Sequence, residues 1–127
     1  MAAEDPASDP RANYDYADGE VDRPALVDDL DQLIDGEVRF DRYSRQLYAT
    51  DASAYEQTPF GVVFPRTTDD VAAVMGYCHD RSIPVLPRGG GTSLAGQAVN
   101  EAVVLDFSRD MDAVLEIDPE ARTATAE

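Results

Sequence analysis

The spacing of apolar and polar positions changes several times along the chain, and each change marks an element. Residues 1–20 contain no Val, Ile, Leu or Phe; they hold Glu4, Asp5, Asp9, Asp15, Asp18 and Glu20 against a single base, Arg11. Such a segment cannot bury enough apolar surface to offset the entropy of ordering, so it reads as a disordered acidic tail. From residue 22 the spacing turns helical. Leu26, Val27, Leu30, Leu33 and Ile34 recur at intervals of three and four. Asp22 is the expected N-cap, Pro24 fits the first turn, and Gly36 is the expected left-handed C′ residue. Asp28, Asp29, Asp31 and Asp35 take the solvated side.

Residues 37–60 show no clear period. Arg39, Arg42 and Arg45 stand close together there. Arg42 and Arg45 could approach a phosphate, but pairing with the many nearby carboxylates is the expected use. The pattern then sharpens. GVVF at 61–64 is a short continuous apolar strand closed by Pro65. Thr67 or Thr68 caps a following helix, with Asp69 and Asp70 favourable in its first turn. Val71, Val74, Met75 and Cys78 form its apolar face. PVL at 84–86 is the next strand, which makes a right-handed parallel βαβ unit. AVVLDF at 102–107 is a third strand. AVLEI (113–117) and RTATAE (122–127) read as a hairpin around Asp118-Pro119-Glu120-Ala121, a type I turn with proline at its second position. The fold class is α+β, with a βαβ unit in a small mixed sheet behind a helix and the acidic tail. The organisation read from this is a tail at 1–20, a helix and approach segment at 21–56, and a patterned unit at 57–127.

Composition narrows the use of such a unit. The 127 residues carry 26 acids and 10 bases, a formal net charge of −16. All the bases are arginine. Nucleic acid and anionic membrane surfaces need a positive footprint, so neither is an expected partner. No basic-then-apolar leader opens the chain, and no apolar run approaches the ~20 residues of a membrane span. The expected setting is a reducing cytoplasm. The acid excess without lysine points to an extreme halophile, because molar salt shrinks the screening length to about 3 Å and removes the self-repulsion. The single Cys78 and single His79 are adjacent, so they point about 100° apart on a helix and share no ligand face. No metal site and no nucleophile–base pair are expected.

The stretch with chemistry in it is Pro87-Arg88-Gly89-Gly90-Gly91-Thr92-Ser93-Leu94-Ala95-Gly96-Gln97, which begins where a strand ends. Ligands of open parallel sheets bind outside the carboxyl ends of the strands. Adjacent glycines let a ligand reach the backbone, and successive N–H groups form a concave nest for an anion. Two familiar phosphate loops fail on spacing. A G-x-G-x-x-G started at Gly89 meets Leu94 where the last glycine belongs, and no amphipathic helix follows. A P-loop framed on Gly91 and Gly96 meets Gln97 and Ala98 where Lys and Ser/Thr are needed, so NTP hydrolysis is not expected. Both strands end in Pro-Arg, at Arg66 and at Arg88. If those strands are neighbours, both arginines emerge at one edge. Arg66 is expected to pair with Asp69 or Asp70, and Arg88 to face the ligand.

The run LYATDASAYEQTPFGVVFPRTTDDVAAVMGYCHDRSIPVLPRGGGTSLAGQAV resembles the start of the FAD-binding domain of the vanillyl-alcohol-oxidase-type (PCMH-type) flavoproteins. The resemblance covers about residues 38–127 and is nearest the FAD-linked D-lactate dehydrogenase and glycolate oxidase branch. It implies the first lobe of that domain, in which Gly89, Gly90, Gly91, Thr92 and Ser93 cradle the FAD pyrophosphate through backbone N–H groups. Arg88 lies beside them, and Gly96 with Gln97 completes the turn. Some family members carry a histidine at the Thr92 position and bind flavin covalently there; threonine implies non-covalent FAD. Asp51, Ser53 and Tyr55 are expected to fix the loop rather than to act as acids or bases.

The resemblance also implies parts that this sequence does not contain. The family has a second flavin-binding lobe and a substrate domain, whereas this sequence stops at Glu127 within a strand pattern. The expected function is therefore the FAD-binding portion of an oxidoreductase acting on a 2-hydroxy acid such as D-lactate or glycolate, inactive as this piece. An electron-transfer or iron–sulfur partner would belong to the longer protein. Two alternatives stand beside it: a non-catalytic FAD- or anion-binding module or gene remnant, and an acidic interaction domain in which the glycine loop has no ligand.

Overall fold

The computed structural model describes residues 21–127. The tail expected at 1–20 lies outside the described residues. Helix α1 spans Arg23–Leu33, and the Asp22 side chain accepts from Ala25 N as its N-cap. Leu26, Leu30 and Ile34 are buried on its inner face, while Leu33 is exposed. Gly36 is not the left-handed cap expected of it. The backbone runs out of the helix in an extended conformation at Ile34, and among the described residues the left-handed glycines are Gly91 and Gly96. Gly36 is small for another reason, since a Cβ there would run into the Phe64 carbonyl oxygen.

Two short elements fill the stretch that had no clear period. Strand β1 is Glu37–Arg39, and helix α2 is Arg42–Leu47, capped by Asp41 accepting from Ser44 N. Strand β2 (Gly61–Phe64) leads into helix α3 (Thr68–Asp80), whose N-cap Thr67 accepts from Asp70 N. Strands β3 (Val85–Arg88) and β4 (Val103–Asp106) follow, then β5 (Val114–Asp118) and β6 (Thr123–Ala126).

The first four strands form one mixed sheet in the order β1-β2-β4-β3, with β1 antiparallel to β2 and the other three parallel. The βαβ expectation holds for direction but not for adjacency. β4 inserts between β2 and β3, so Arg66 and Arg88 do not leave neighbouring strands. Arg66 is exposed and lies past the end of β2. Its backbone N–H, not its guanidinium, reaches Asp70, at 2.9 Å. Asp70 also accepts from Asp35 N at 2.9 Å, so one buried carboxylate ties the α1–β1 turn to the β2–α3 turn.

Period-two alternation divides the side chains of the sheet between two faces. Val63, Val103 and Leu105 pack with Leu26 and Leu30 of α1, with its C-cap Ile34, and with Val74 and Cys78 of α3. Met75, expected in that face, is exposed. Burial raises the Cys78 thiol to about 11, which makes it an apolar filler rather than a nucleophile. Val62, Phe64 and Val104 face the other way, against Leu86 and Tyr48. The β5–β6 hairpin is a separate two-stranded sheet turned at Asp118, whose Oδ1 accepts from Glu120 N and Ala121 N. Among the described residues no helix is long and apolar enough to cross a membrane.

Candidate functional site

Strands β3 and β4 run parallel with no helix between them. The chain returns from Arg88 to Val103 through residues 89–102, and this loop lies at the carboxyl end of β3. A parallel connection needs a dozen or so residues to cross over. Here those residues form the glycine loop, so the crossover and the candidate site are one structure.

The four loop glycines divide into two kinds. Gly91 and Gly96 have φ of +66° and +83°, in the left-handed region. A Cβ on Gly91 would sit 2.5 Å from Arg88 Nη2, and one on Gly96 would sit 2.8 Å from Tyr55 Cδ2. The protein's own backbone and packing demand glycine at those two positions. Gly89 and Gly90 are different. Neither is left-handed, a Cβ on Gly89 meets nothing within 4 Å, and one on Gly90 meets only Thr92 Cγ2, at 3.5 Å. Among the described residues nothing requires their lack of a side chain, and the space beside them is open to a ligand lying against the backbone.

The polar groups agree with that division. Among the described residues, the N–H groups of Gly89, Gly90, Gly91, Thr92 and Ser93 find no acceptor. Gly89, Gly90 and Thr92 are exposed. Ser93 Oγ meets Gln97 Oε1 and accepts from Gln97 N at 3.2 Å, which closes the turn around Leu94, itself 82% exposed. Unpaired amides, open space where two side chains are missing and no competing carboxylate within the run 88–98 make a cradle suited to a diphosphate.

Behind the loop lies the segment 48–55. Ala52 N donates to Gly91 O at 3.0 Å. Asp51 Oδ1 accepts from Ser53 N at 2.8 Å and Oδ2 from Ala98 N at 3.3 Å. Hydrogen bonding from Ser53 holds the Asp51 carboxyl below its ordinary value, with Ala98 N–H and the Arg88 charge adding to it. Asp51 and Ser53 therefore fix the loop. Tyr55 is exposed, with its ring edge against Gly96.

Arg88 does not face the open side as expected. Its guanidinium turns back toward three backbone carbonyls, Thr50 O and Ala98 O at 2.9 Å each and Tyr48 O at 3.4 Å. It also lies 4.9 Å from the centre of the Tyr48 ring. The other arginines expected to meet carboxylates divide. Arg39 pairs with Glu37, but Arg45 donates to Pro59 O at 2.9 Å.

One half-buried pair had no forewarning in the pattern. Tyr48 donates its hydroxyl hydrogen to Asp106 Oδ2, and the other oxygen of Asp106 accepts from Ser108 N and Oγ. Asp106 is buried and stands opposite Arg88 in the sheet. Burial, then the bond to Asp106, raises the Tyr48 hydroxyl to about 12. The pair fastens the approach segment to the sheet beneath the loop.

Known proteins resemble this chain in sequence and in fold. A family model described as an FAD binding domain covers residues 59–127. A D-2-hydroxyglutarate dehydrogenase of Pseudomonas putida is 41% identical over 90 residues, which is 68% of this chain and 9% of that protein. A mitochondrial D-lactate dehydrogenase (cytochrome) of Saccharomyces cerevisiae is 31% identical over 116 residues, 82% of this chain and 20% of that protein. A glycolate oxidase subunit of Bacillus subtilis is 35% identical over 85 residues, 65% of this chain and 18% of that protein. The chain thus spans a fifth or less of the length of these relatives. Among solved structures, p-cresol methylhydroxylase superposes with a TM-score of 0.66 at 23% identity, over 82% of this chain and 22% of that one. An alkyldihydroxyacetonephosphate synthase gives 0.67 at 21% identity, over 85% of this chain and 23% of that one. At that identity the likeness is one of fold.

Proposed function

The chain belongs to the FAD-binding-domain family, and from that premise we propose that it supplies the pyrophosphate-binding lobe of a flavin-dependent oxidoreductase acting on a 2-hydroxy acid. The observation that carries the reading is the pair Gly89 and Gly90, whose missing side chains open space that nothing among the described residues fills. In this reading the N–H groups of Gly89, Gly90, Gly91, Thr92 and Ser93 donate to the diphosphate oxygens. Gly96 and Gln97 complete the turn that holds them. Thr92 has no imidazole to form a bond to the flavin ring, so the cofactor is held non-covalently. Bound FAD would supply acceptance of two electrons from the substrate carbon that bears the hydroxyl.

The substrate class comes from the relatives, whose names specify D-2-hydroxyglutarate, D-lactate and glycolate. Their shared feature is a hydroxyl on the carbon beside a carboxylate. The reading assigns no catalytic residue to this lobe. It includes an electron acceptor on another protein and a high-salt cytoplasm, the latter on the strength of the −16 charge. The test is a titration in molar KCl that follows the backbone amide resonances of residues 88–98. FAD and ADP should shift Gly89–Ser93 and compete with each other. Riboflavin, which lacks the diphosphate, should shift them far less. Riboflavin binding as tightly as FAD, or shifts confined to other elements, would remove the pyrophosphate assignment.

A further inference from the structure

We propose that Arg88 is the positioning residue of the glycine loop, a fixed cation behind the turn that aims the loop amides outward, and not a direct ligand of the phosphates. The inference rests on the FAD reading for its ligand, but its geometry stands in the ligand-free chain.

A guanidinium offers five N–H donors in a rigid plane. In this protein that plane meets carbonyls from two separate segments, Tyr48 O and Thr50 O on the approach segment and Ala98 O at the far end of the loop. Arg88 itself sits at the last position of β3. One side chain therefore links the start of the loop, its end and the segment beneath it. The turn also closes directly over it, since a Cβ on Gly91 would lie 2.5 Å from Nη2 and 2.9 Å from Cζ. The glycine at that position makes room for the guanidinium.

The outward aim follows from peptide geometry. Gly91 O is held at 3.0 Å by Ala52 N, on the approach-segment side. In a planar trans peptide the C=O and the following N–H point in opposite directions. Fixing Gly91 O toward residue 52 therefore directs the Thr92 N–H away from it, to the open side. Arg88 holds the adjoining Thr50 carbonyl in place, which sets the position of Ala52. It also binds the Ala98 and Tyr48 carbonyls, whose partial negative charge would otherwise repel an anion. Lysine does not substitute for this, because its three donors leave from a single point and cannot span a planar set of acceptors.

The experiment compares the wild-type chain with Arg88→Met, Arg88→Lys and Ala52→Pro, all in molar KCl. Hydrogen exchange is read first without ligand. Both Arg88 variants should speed exchange at the bonded amides of Ala52 and Ala98 by tenfold or more, while Val74 and Cys78 in α3 keep their wild-type protection and so report an intact fold. ADP affinity is read second. Arg88→Met and Ala52→Pro should each weaken it about tenfold, and the double variant should lose less than the product, because both act through one loop position. A direct phosphate contact predicts another outcome: unchanged ligand-free exchange in Arg88→Met, full affinity in Ala52→Pro, and partial rescue by lysine. That outcome overturns the proposal. If the wild-type chain binds neither ADP nor FAD, the functional reading fails, yet the ligand-free exchange still decides whether Arg88 holds the loop.

Discussion

Gly90→Ala and Gly91→Ala are the same chemical change one residue apart, and the structure assigns them opposite consequences. At Gly91 the backbone is left-handed, which costs an alanine about 1–2 kcal/mol. The added Cβ also lies 2.5 Å from Arg88 Nη2, so the guanidinium must shift and weaken its bonds to carbonyls. Hydrogen bonds to a charged group are worth about 1.5–3 kcal/mol each. A loss on the order of 3 kcal/mol follows, or on the order of 10–20 °C in melting temperature for a folded unit of this size. At Gly90 the backbone is ordinary and the nearest atom is in normal contact, 3.5 Å away. Alanine there restricts the unfolded chain and should leave stability equal or higher by about 0.4–1 kcal/mol.

Ligand binding should separate the two variants in a different way. If a diphosphate lies against Gly90, a methyl group at that contact costs about 1–3 kcal/mol of overpacking. Since 1.4 kcal/mol is about tenfold in affinity, FAD binding should weaken roughly 5- to 140-fold. The assay is a thermal melt by circular dichroism with and without FAD, beside a titration by flavin fluorescence. Gly90→Ala should melt like the wild type without FAD and lose most of the stabilisation that FAD confers. A Gly90→Ala protein with wild-type FAD affinity would refute the reasoning, because the open space at that position would then have no occupant.

Three other perturbations test the scaffold. Asp70→Ala leaves the Asp35 and Arg66 N–H groups without their acceptor and should cost about 2–4 kcal/mol, read by denaturant unfolding; a loss below about 0.5 kcal/mol would show that the carboxylate does not hold the two turns together. Tyr48 and Tyr77 are both raised to about 12, chiefly by burial and then by hydrogen bonds to Asp106 and Asp29. Each favours its protonated form in the folded state, so the stability they contribute is full below pH 10 and is lost as pH rises through 12. Ultraviolet titration of the folded protein, assigned with Tyr48→Phe and Tyr77→Phe, should show Tyr48 and Tyr77 ionising late; an ordinary midpoint for either would contradict the placement. The net charge of −16 predicts a higher melting temperature in 3 M than in 0.1 M KCl, and equal values would remove the halophilic reading.

Capping residues and apolar spacing made the helices α1 and α3 legible, because a cap and a buried stripe are local properties. Asp22 and Thr67 stand where their side chains were expected. Helix α2 has only six residues and no stripe, so only its cap, Asp41 with Ser44, carried a readable signal. Strand order was not legible. GVVF, VLPR and VVLD are all short and largely apolar, and nothing in any one of them specifies its neighbours. Placing β4 between β2 and β3 is a choice made by the whole sheet as it packs on α1 and α3. The direction of Arg88 failed for a related reason. Its nearest charged relatives in the sequence are irrelevant; its acceptors Tyr48 O and Thr50 O come from 40 and 38 residues away. The glycine loop was legible as a motif, yet the sequence could not separate Gly91 and Gly96, required by the protein's own geometry, from Gly89 and Gly90.

That separation bears on how so acidic a chain would hold the proposed anionic ligand. Arg39 and Arg109 meet carboxylates, while Arg45, Arg81 and Arg88 meet backbone carbonyls. The loop itself presents the unpaired amides of Gly89–Ser93. An amide hydrogen bond acts at about 2.9 Å and carries no net charge. Molar salt, with its screening length near 3 Å, removes the long-range pull of an exposed arginine but hardly touches a contact of that length. A basic side chain reaching for phosphate would be weakened by the same salt that relieves the repulsion among the carboxylates. Backbone donors, aimed by a cation held behind them, avoid that conflict. On the proposed reading the acid excess and the glycine loop are two parts of one solution: a surface that depends on salt, and a site built from groups that salt leaves alone.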